Sequence, residues 1–359
     1  MKRTTYQFTL ICCFLLASCG HVPQNNLLVI DLVNHRSWPF EKMALSEISE
    51  SIQIIPLETN DSVVLAYISG IRFEKNKLYI RATNGVFVFD SNGKFLNKIS
   101  SAGRGPQEYI TLPGLFPEDN VVWLIDGAGR KMLKFTDSGK FVERFELMKH
   151  RFSEYHHSKG DAFVGFLPDH GFPDTDIMLA FFRPTGIIDS ILHRNPIQQS
   201  GSYWHVADEA TFIDYKSQIK FKHIFNDTIY RIDKHRLVPD AVLILGSGKA
   251  NEKARAIAAN SDPYSHIITE GMDVVLLRGE NSRFICLEVK FSTIIYFYDK
   301  KEQKVHKWNF ILPDDKRIDP EESKKFVPIC IDRNGNLIGQ TTPANEHNNP
   351  VIVISQLKQ

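Results

Sequence analysis

The chain has 359 residues, 43% of them hydrophobic and 24% charged, with 43 Lys and Arg set against 42 Asp and Glu. That near balance, with no basic run, removes any electrostatic reason to expect a nucleic-acid partner. The length is enough for one large buried core or two smaller ones.

The first element in chain order is a targeting segment that stands outside the fold. Lys2 and Arg3 give a positive start, Phe8 to Ala17 is apolar, and Leu16-Ala17-Ser18-Cys19 ends with small residues before a cysteine. Ten apolar residues are too few to span a bilayer as a helix and suit a signal peptide. The ending resembles the bacterial lipobox, in which cleavage makes the cysteine an acylated N-terminus; an ordinary secretory signal is the alternative. Residues 1–18 are therefore expected to be removed, Cys19 to be lipidated, and 19–26 to form a polar tether. Residues 27–359 then form a body held at a membrane by acyl chains. Loss of Lys2 and Arg3 brings the charge balance to 41 against 42. Two cysteines remain, Cys286 and Cys330, in apolar strand-like contexts. They read as separate buried thiols, although export permits a bridge.

A repeat organises the body. One copy is Asn76-Lys-Leu-Tyr-Ile-Arg-Ala followed by Val86-Phe-Val-Phe-Asp-Ser-Asn-Gly-Lys-Phe-Leu. The next is Asn120-Val-Val-Trp-Leu-Ile-Asp followed by Met132-Leu-Lys-Phe-Thr-Asp-Ser-Gly-Lys-Phe-Val. Phe89 and Phe135, Gly93 and Gly139, and Lys94 and Lys140 are each 46 residues apart, and Gly186 lies 47 beyond Gly139. The runs are short, aromatic and β-branched, and Asp-Ser-Asn-Gly and Thr-Asp-Ser-Gly between them are hairpin turns. A period in the forties with four strands per copy predicts an all-β, six-bladed β-propeller. The blades fall near 65–100, 110–147, 150–194, 202–245, 265–310 and 326–357. The last lacks an outer strand, which residues 51–56 are expected to supply, so that no sheet edge is exposed at the seam. Asn251 to Asn260 reads as a helical surface insertion.

Ile54-Ile-Pro-Leu-Glu-Thr-Asn, Phe89-Asp-Ser-Asn-Gly-Lys-Phe, Gly103-Arg-Gly-Pro-Gln-Glu-Tyr109 and Asn226-Asp-Thr-Ile-Tyr together resemble the six-bladed β-propeller lipoproteins of Bacteroides-like bacteria, which are similar to NHL-repeat propellers. The resemblance covers nearly all of the mature chain. It implies an envelope location and brings no catalytic residues. Lipoproteins sent to the exterior of such cells often carry acidic residues after the cysteine. Gly20 to Asn26 has none, which points to the periplasmic face of the outer membrane.

The candidate ligand residues are Arg104, Glu108 and Tyr109, in the connection between the first two blades. An arginine fork suits a carboxylate or sulfate, and a tyrosine face suits a sugar. The competing and favoured reading makes the segment an inter-blade latch, with Arg104 buried against a carboxylate and Tyr109 packed beneath a blade. Adjacent His156 and His157 point to opposite faces of a strand and cannot both serve one metal, and His170, His205 and His223 lack ligand spacing. Leu245-Gly-Ser-Gly-Lys249 has neither nucleophile-elbow nor phosphate-loop spacing. No catalytic residue, metal or cofactor is expected. The chain reads as a monomeric, membrane-anchored module that binds a small molecule, glycan or protein. The alternative is an extracytoplasmic metal-dependent hydrolase or lyase with an axial site.

Overall fold

The computed structural model describes residues 27–147 apart from Ser62, 152–168, 177–193 apart from Ile187, 208–250 apart from His235, Ile267, 270–318 apart from 291–293, 326–341 and 348–359. The targeting segment, Cys19, the tether, His170, His205 and the helical candidate at 251–260 lie outside these residues.

Six small sheets form a ring. Blade one comprises Ile68–Glu74, Lys77–Ala82, Gly85–Asp90 and Phe95–Ser100, and the order from axis to rim follows the chain. Blades two to five repeat that order from Gly114–Glu118, Glu154–Lys159, Ala210–Tyr215 and Val275–Glu280 outward. Blade six runs Val327–Ile331, Asn336–Thr341, Val351–Leu357 and then Ser49–Pro56 from the start of the chain. That last pairing is antiparallel, from Val351↔Pro56 to Gln356↔Ser51, so the expected seam is present.

Burial explains why the second and third strands read as continuous apolar runs. Each blade is sandwiched between two others, so both faces of Gly85–Asp90 and Val121–Asp126 are covered. Rim strands such as Phe141–Glu146 stay largely open and carry the charge. The cores therefore lie between blades. Tyr79 and Val88 of blade one meet Leu124 and Leu133 of blade two, and Trp123 and Ile125 of blade two meet Phe163 and Phe182 of blade three. The repeated turns hold Gly93, Gly139 and Gly186 at φ of 84°, 86° and 83°, a conformation that a Cβ disfavours.

The expectation of six four-stranded blades needs one correction. Leu28–Asp31 runs parallel to the rim strand Arg236–Ile244 of blade four, and Glu41–Ala44 parallel to Lys304–Leu312 of blade five. Both blades thus have five strands, and residues 27–48 form a strap around the rim. The cause is visible in its anchors. Lys307, 2% exposed, donates to the carbonyls of His35, Arg36 and Trp38 at 2.9, 3.0 and 3.0 Å, so all three ammonium hydrogens have acceptors. Asp273 lies 2.8 Å from His35 Nε2 and accepts from Arg36 Nε at 3.0 Å. Cys286 and Cys330 are free thiols, as expected. Among the described residues no helix is long and apolar enough to cross a membrane.

Candidate functional site

The segment Gly103–Tyr109 is folded upon itself. Gly103 N–H donates to the Tyr109 carbonyl at 2.9 Å and Tyr109 N–H to the Ser101 carbonyl at 3.2 Å. The Glu108 carboxylate turns inward and accepts from Gly105 N–H at 2.8 Å. A Cβ on Gly103 would fall inside that carboxylate, which is why glycine stands there. Two residues of blade two fasten the segment. Asp126, fully buried, accepts from Ile110 N–H and Thr111 N–H at 3.1 Å each, and Lys131 Nζ donates to the Gly105 carbonyl at 3.1 Å. From blade one, Arg81 donates to the Leu112 carbonyl at 2.6 Å and the Ser69 carbonyl at 2.8 Å. Burial and nearby Arg72 lower its pKa. Tyr109 is buried, and that burial pushes its phenol up to about 12.

The segment is thus a latch, but not through Arg104. Arg104 is exposed and, among the described residues, has no carboxylate partner, against the expectation of a buried ion pair. Glu108 already fills the inside of the loop, and the two flanking glycines leave the arginine outside. Of the three candidate ligand residues, Glu108 and Tyr109 are committed to the loop's own structure and only Arg104 faces solvent.

The two ends of the ring differ in chemistry. The turn between second and third strands donates to the residue just before the first strand in several blades: Thr83 to Tyr67, Gly127 to Thr111, Ile224 to Glu209 and Lys290 to Val274, at 2.8–3.2 Å. The inter-blade connections therefore share one face, and the remaining hairpin turns share the other. The first strands of consecutive blades approach one another along the axis. Near the connection face, Glu154 opens the first strand of blade three. Burial, reinforced by Asp208 and Glu209 against the pull of Lys290 and Arg81, pushes its carboxyl up to about 8. Such a group is largely protonated at neutral pH.

At the hairpin end, five blades contribute polar side chains. His156 Nε2 lies 3.0 Å from Asp214 of blade four, and His157 Nε2 3.5 Å from Glu118 of blade two. The adjacent histidines thus point to opposite neighbours, as the strand period requires. Burial lowers the His157 pKa. Burial opposes ionisation of Asp214, but His156, Arg72 and Arg333 hold its carboxyl below the usual range. Arg333 of blade six pairs with Glu74 of blade one. Arg72, on the first strand of blade one, is exposed and has no carboxylate partner among the described residues. Among those residues no three His, Cys, Asp or Glu side chains are grouped so as to hold a metal ion.

Residues 27–354 match a domain of unknown function, DUF4934. The chain belongs to this family. No curated protein matches it. The DUF4934 ring is similar in structure to a protein of Bacteroides fragilis NCTC 9343 named as exported, with 16% identity and a TM-score of 0.67 over 92% of this chain and 100% of that one. It is also similar to a DUF4221 family member of Bacteroides vulgatus, with 15% identity and a TM-score of 0.50 over 87% and 97%. At these identities the likeness shows the fold alone.

Several residues of the DUF4934 propeller that matter most carried little signal in the sequence. Asp126 follows an apolar run as any turn aspartate does, and Arg81 stands in a strand beside other polar residues. Arg72 had one usable mark, an arginine inside the first strand of a repeat, where the axis is the only open side.

Proposed function

We propose that this chain is a non-catalytic, envelope-anchored binding module whose ligand enters the axial channel. The observation that carries this reading is Arg72. The other cations along the inter-blade surfaces are tied, Arg81 and Lys131 to backbone carbonyls, Arg278 to Glu288 at 2.5 Å and Arg333 to Glu74. Arg72 is exposed, has no carboxylate partner among the described residues and makes only a long contact to the Ile71 carbonyl at 3.5 Å, so most of its guanidinium fork stays open among groups supplied by five blades, which suits a carboxylate-bearing peptide or an acidic glycan.

The test is a thermal-shift screen of the purified protein against peptides, glycans and divalent ions, since a native-state ligand raises the melting temperature by mass action. Acidic peptides or glycans should raise it, and Arg72→Ala should remove the shift. A shift with divalent ions alone would favour the enzymatic alternative. Anchoring is proposed at Cys19, on the periplasmic face of the outer membrane, with the ring monomeric; the named export of the B. fragilis protein supports an envelope location. Cys19→Ala should abolish fatty-acid labelling and release the protein from the membrane fraction.

A further inference from the structure

The strap crosses from blade four to blade five over a cleft of about 440 Å³, within the range of small-ligand sites. Three segments build it: Val29 and Asp31 from the strap's first strand, Trp38 to Glu41 from its crossing, and Tyr298 to Lys307 from the outer hairpin of blade five. Tyr298 is only 5% exposed, lines the cleft, and makes no hydrogen bond through its hydroxyl among the described residues. Its ring is packed in the core while its hydroxyl reaches the cleft, where it can donate to and accept from a ligand in place of water. Trp38, half-buried and also lining the cleft, likewise has an uncommitted indole N–H.

The charges around the cleft are already engaged. Lys307 is spent on three carbonyls, Asp31 accepts from Val33 N–H at 2.8 Å, and Glu41 accepts from His306 Nδ1 at 2.8 Å with Lys304 3.7 Å away. Opposite signs also balance, with Asp31 and Glu41 against Lys304 and Lys307. No net field selects an anion or a cation. What remains for recognition is the open part of the Trp38 face, the Tyr298 hydroxyl, the indole N–H, the Gln303 amide, and spare lone pairs on two charge-balanced carboxylates. An aromatic wall with hydroxyl-seeking donors and acceptors around it is complementary to a ring that is apolar on its faces and hydroxylated at its edge.

We infer that this rim cleft is a second binding site, separate from the axial channel, and that it takes a neutral sugar ring. The test is calorimetric titration of the full chain with neutral hexoses and their disaccharides, alongside glucuronate, glucosamine and an aliphatic alcohol as charged and apolar counterparts. Neutral sugars should bind in preference to all three counterparts. Tyr298→Phe, which keeps the ring packing, should weaken them roughly three- to tenfold, the effect of one neutral hydrogen bond. Trp38→Ala should abolish binding, and Arg72→Ala should leave it unchanged. Lack of binding by neutral sugars, a preference for a charged or apolar counterpart, or equal affinity in Tyr298→Phe would overturn the inference. Loss of sugar binding in Arg72→Ala would overturn it too, by moving the sugar to the channel.

Discussion

Asp126 sits where two blades and a connection meet, and its carboxylate has three backbone N–H donors, from Ile110, Thr111 and Gly129. Asp126→Ala would leave those donors without their buried acceptor and Lys131, 3.9 Å away, without its counter-charge, and should cost roughly 3–5 kcal/mol of stability in chemical denaturation. Arg104→Ala should change stability by no more than about 0.5 kcal/mol, as at ordinary surface sites. Arg104 was the residue whose type drew attention in the sequence, and the reason it misled is physical. Loop residues declare their chemistry by name, whereas which of them turns inward depends on a neighbour's carboxylate and on residues of the next blade. Glu154 offers a titration at the same scale. In the folded ring it holds its proton up to about pH 8, while in the unfolded chain it ionises in the ordinary carboxylate range. The folded state binds the extra proton between those limits, so this group lowers stability as pH rises through that window and contributes no further slope above it. Glu154→Gln should flatten the curve and melt above the parent at alkaline pH. Melting temperature followed against pH checks this, and an unchanged slope would mean that Glu154 titrates normally.

The strap is held by backbone acceptors gathered around one side chain, and this sets what happens when that side chain is lost. Lys307→Met removes the ammonium and leaves the carbonyls of His35, Arg36 and Trp38 to find water. The cost, on the order of 1–3 kcal/mol for stranded buried acceptors, should fall on the strap rather than on the ring. Native-state hydrogen exchange should then quicken at Leu28–Asp31 and Glu41–Ala44, with the middle strands of blades one to three unaffected. Uniform acceleration across the ring would show that strap and ring open together. The strap was also the element least legible in the sequence. The blades announce themselves by repeating turn residues at fixed spacing, because every copy meets the same geometry. A fifth strand added once, in parallel, to a rim repeats nothing. Its four-residue strands, Leu-Val-Ile-Asp and Glu-Lys-Met-Ala, are too short to show a period, and Lys307, which anchors it, lies in blade five, some 270 residues away.

At the scale of the molecule, the cores between blades make the ring depend on closure. Ile55 packs with Ile338 and Ile352 in the same cluster as Leu78 and Phe89, so the blade-six seam and blade one share a core. Removing one rim strand uncovers an edge. Removing Val351–Leu357, which lies between Asn336–Thr341 and Ser49–Pro56, breaks two ladders at once and disconnects the N-terminal strand from the ring. Blade one then loses its packing neighbour on that side, blade six loses its sheet, and the remaining interfaces become an open arc with nearest-neighbour contacts only. Deleting residues 351–359 should therefore abolish cooperative unfolding of the folded body, read as loss of a single denaturant transition and exposure of apolar surface to a hydrophobic dye. Deleting residues 27–44 instead should leave the ladder between Ser49–Pro56 and Val351–Leu357 intact and keep one cooperative transition at lower denaturant. If the two deletions behaved alike, stability would reside in the strap and not in closure of the ring.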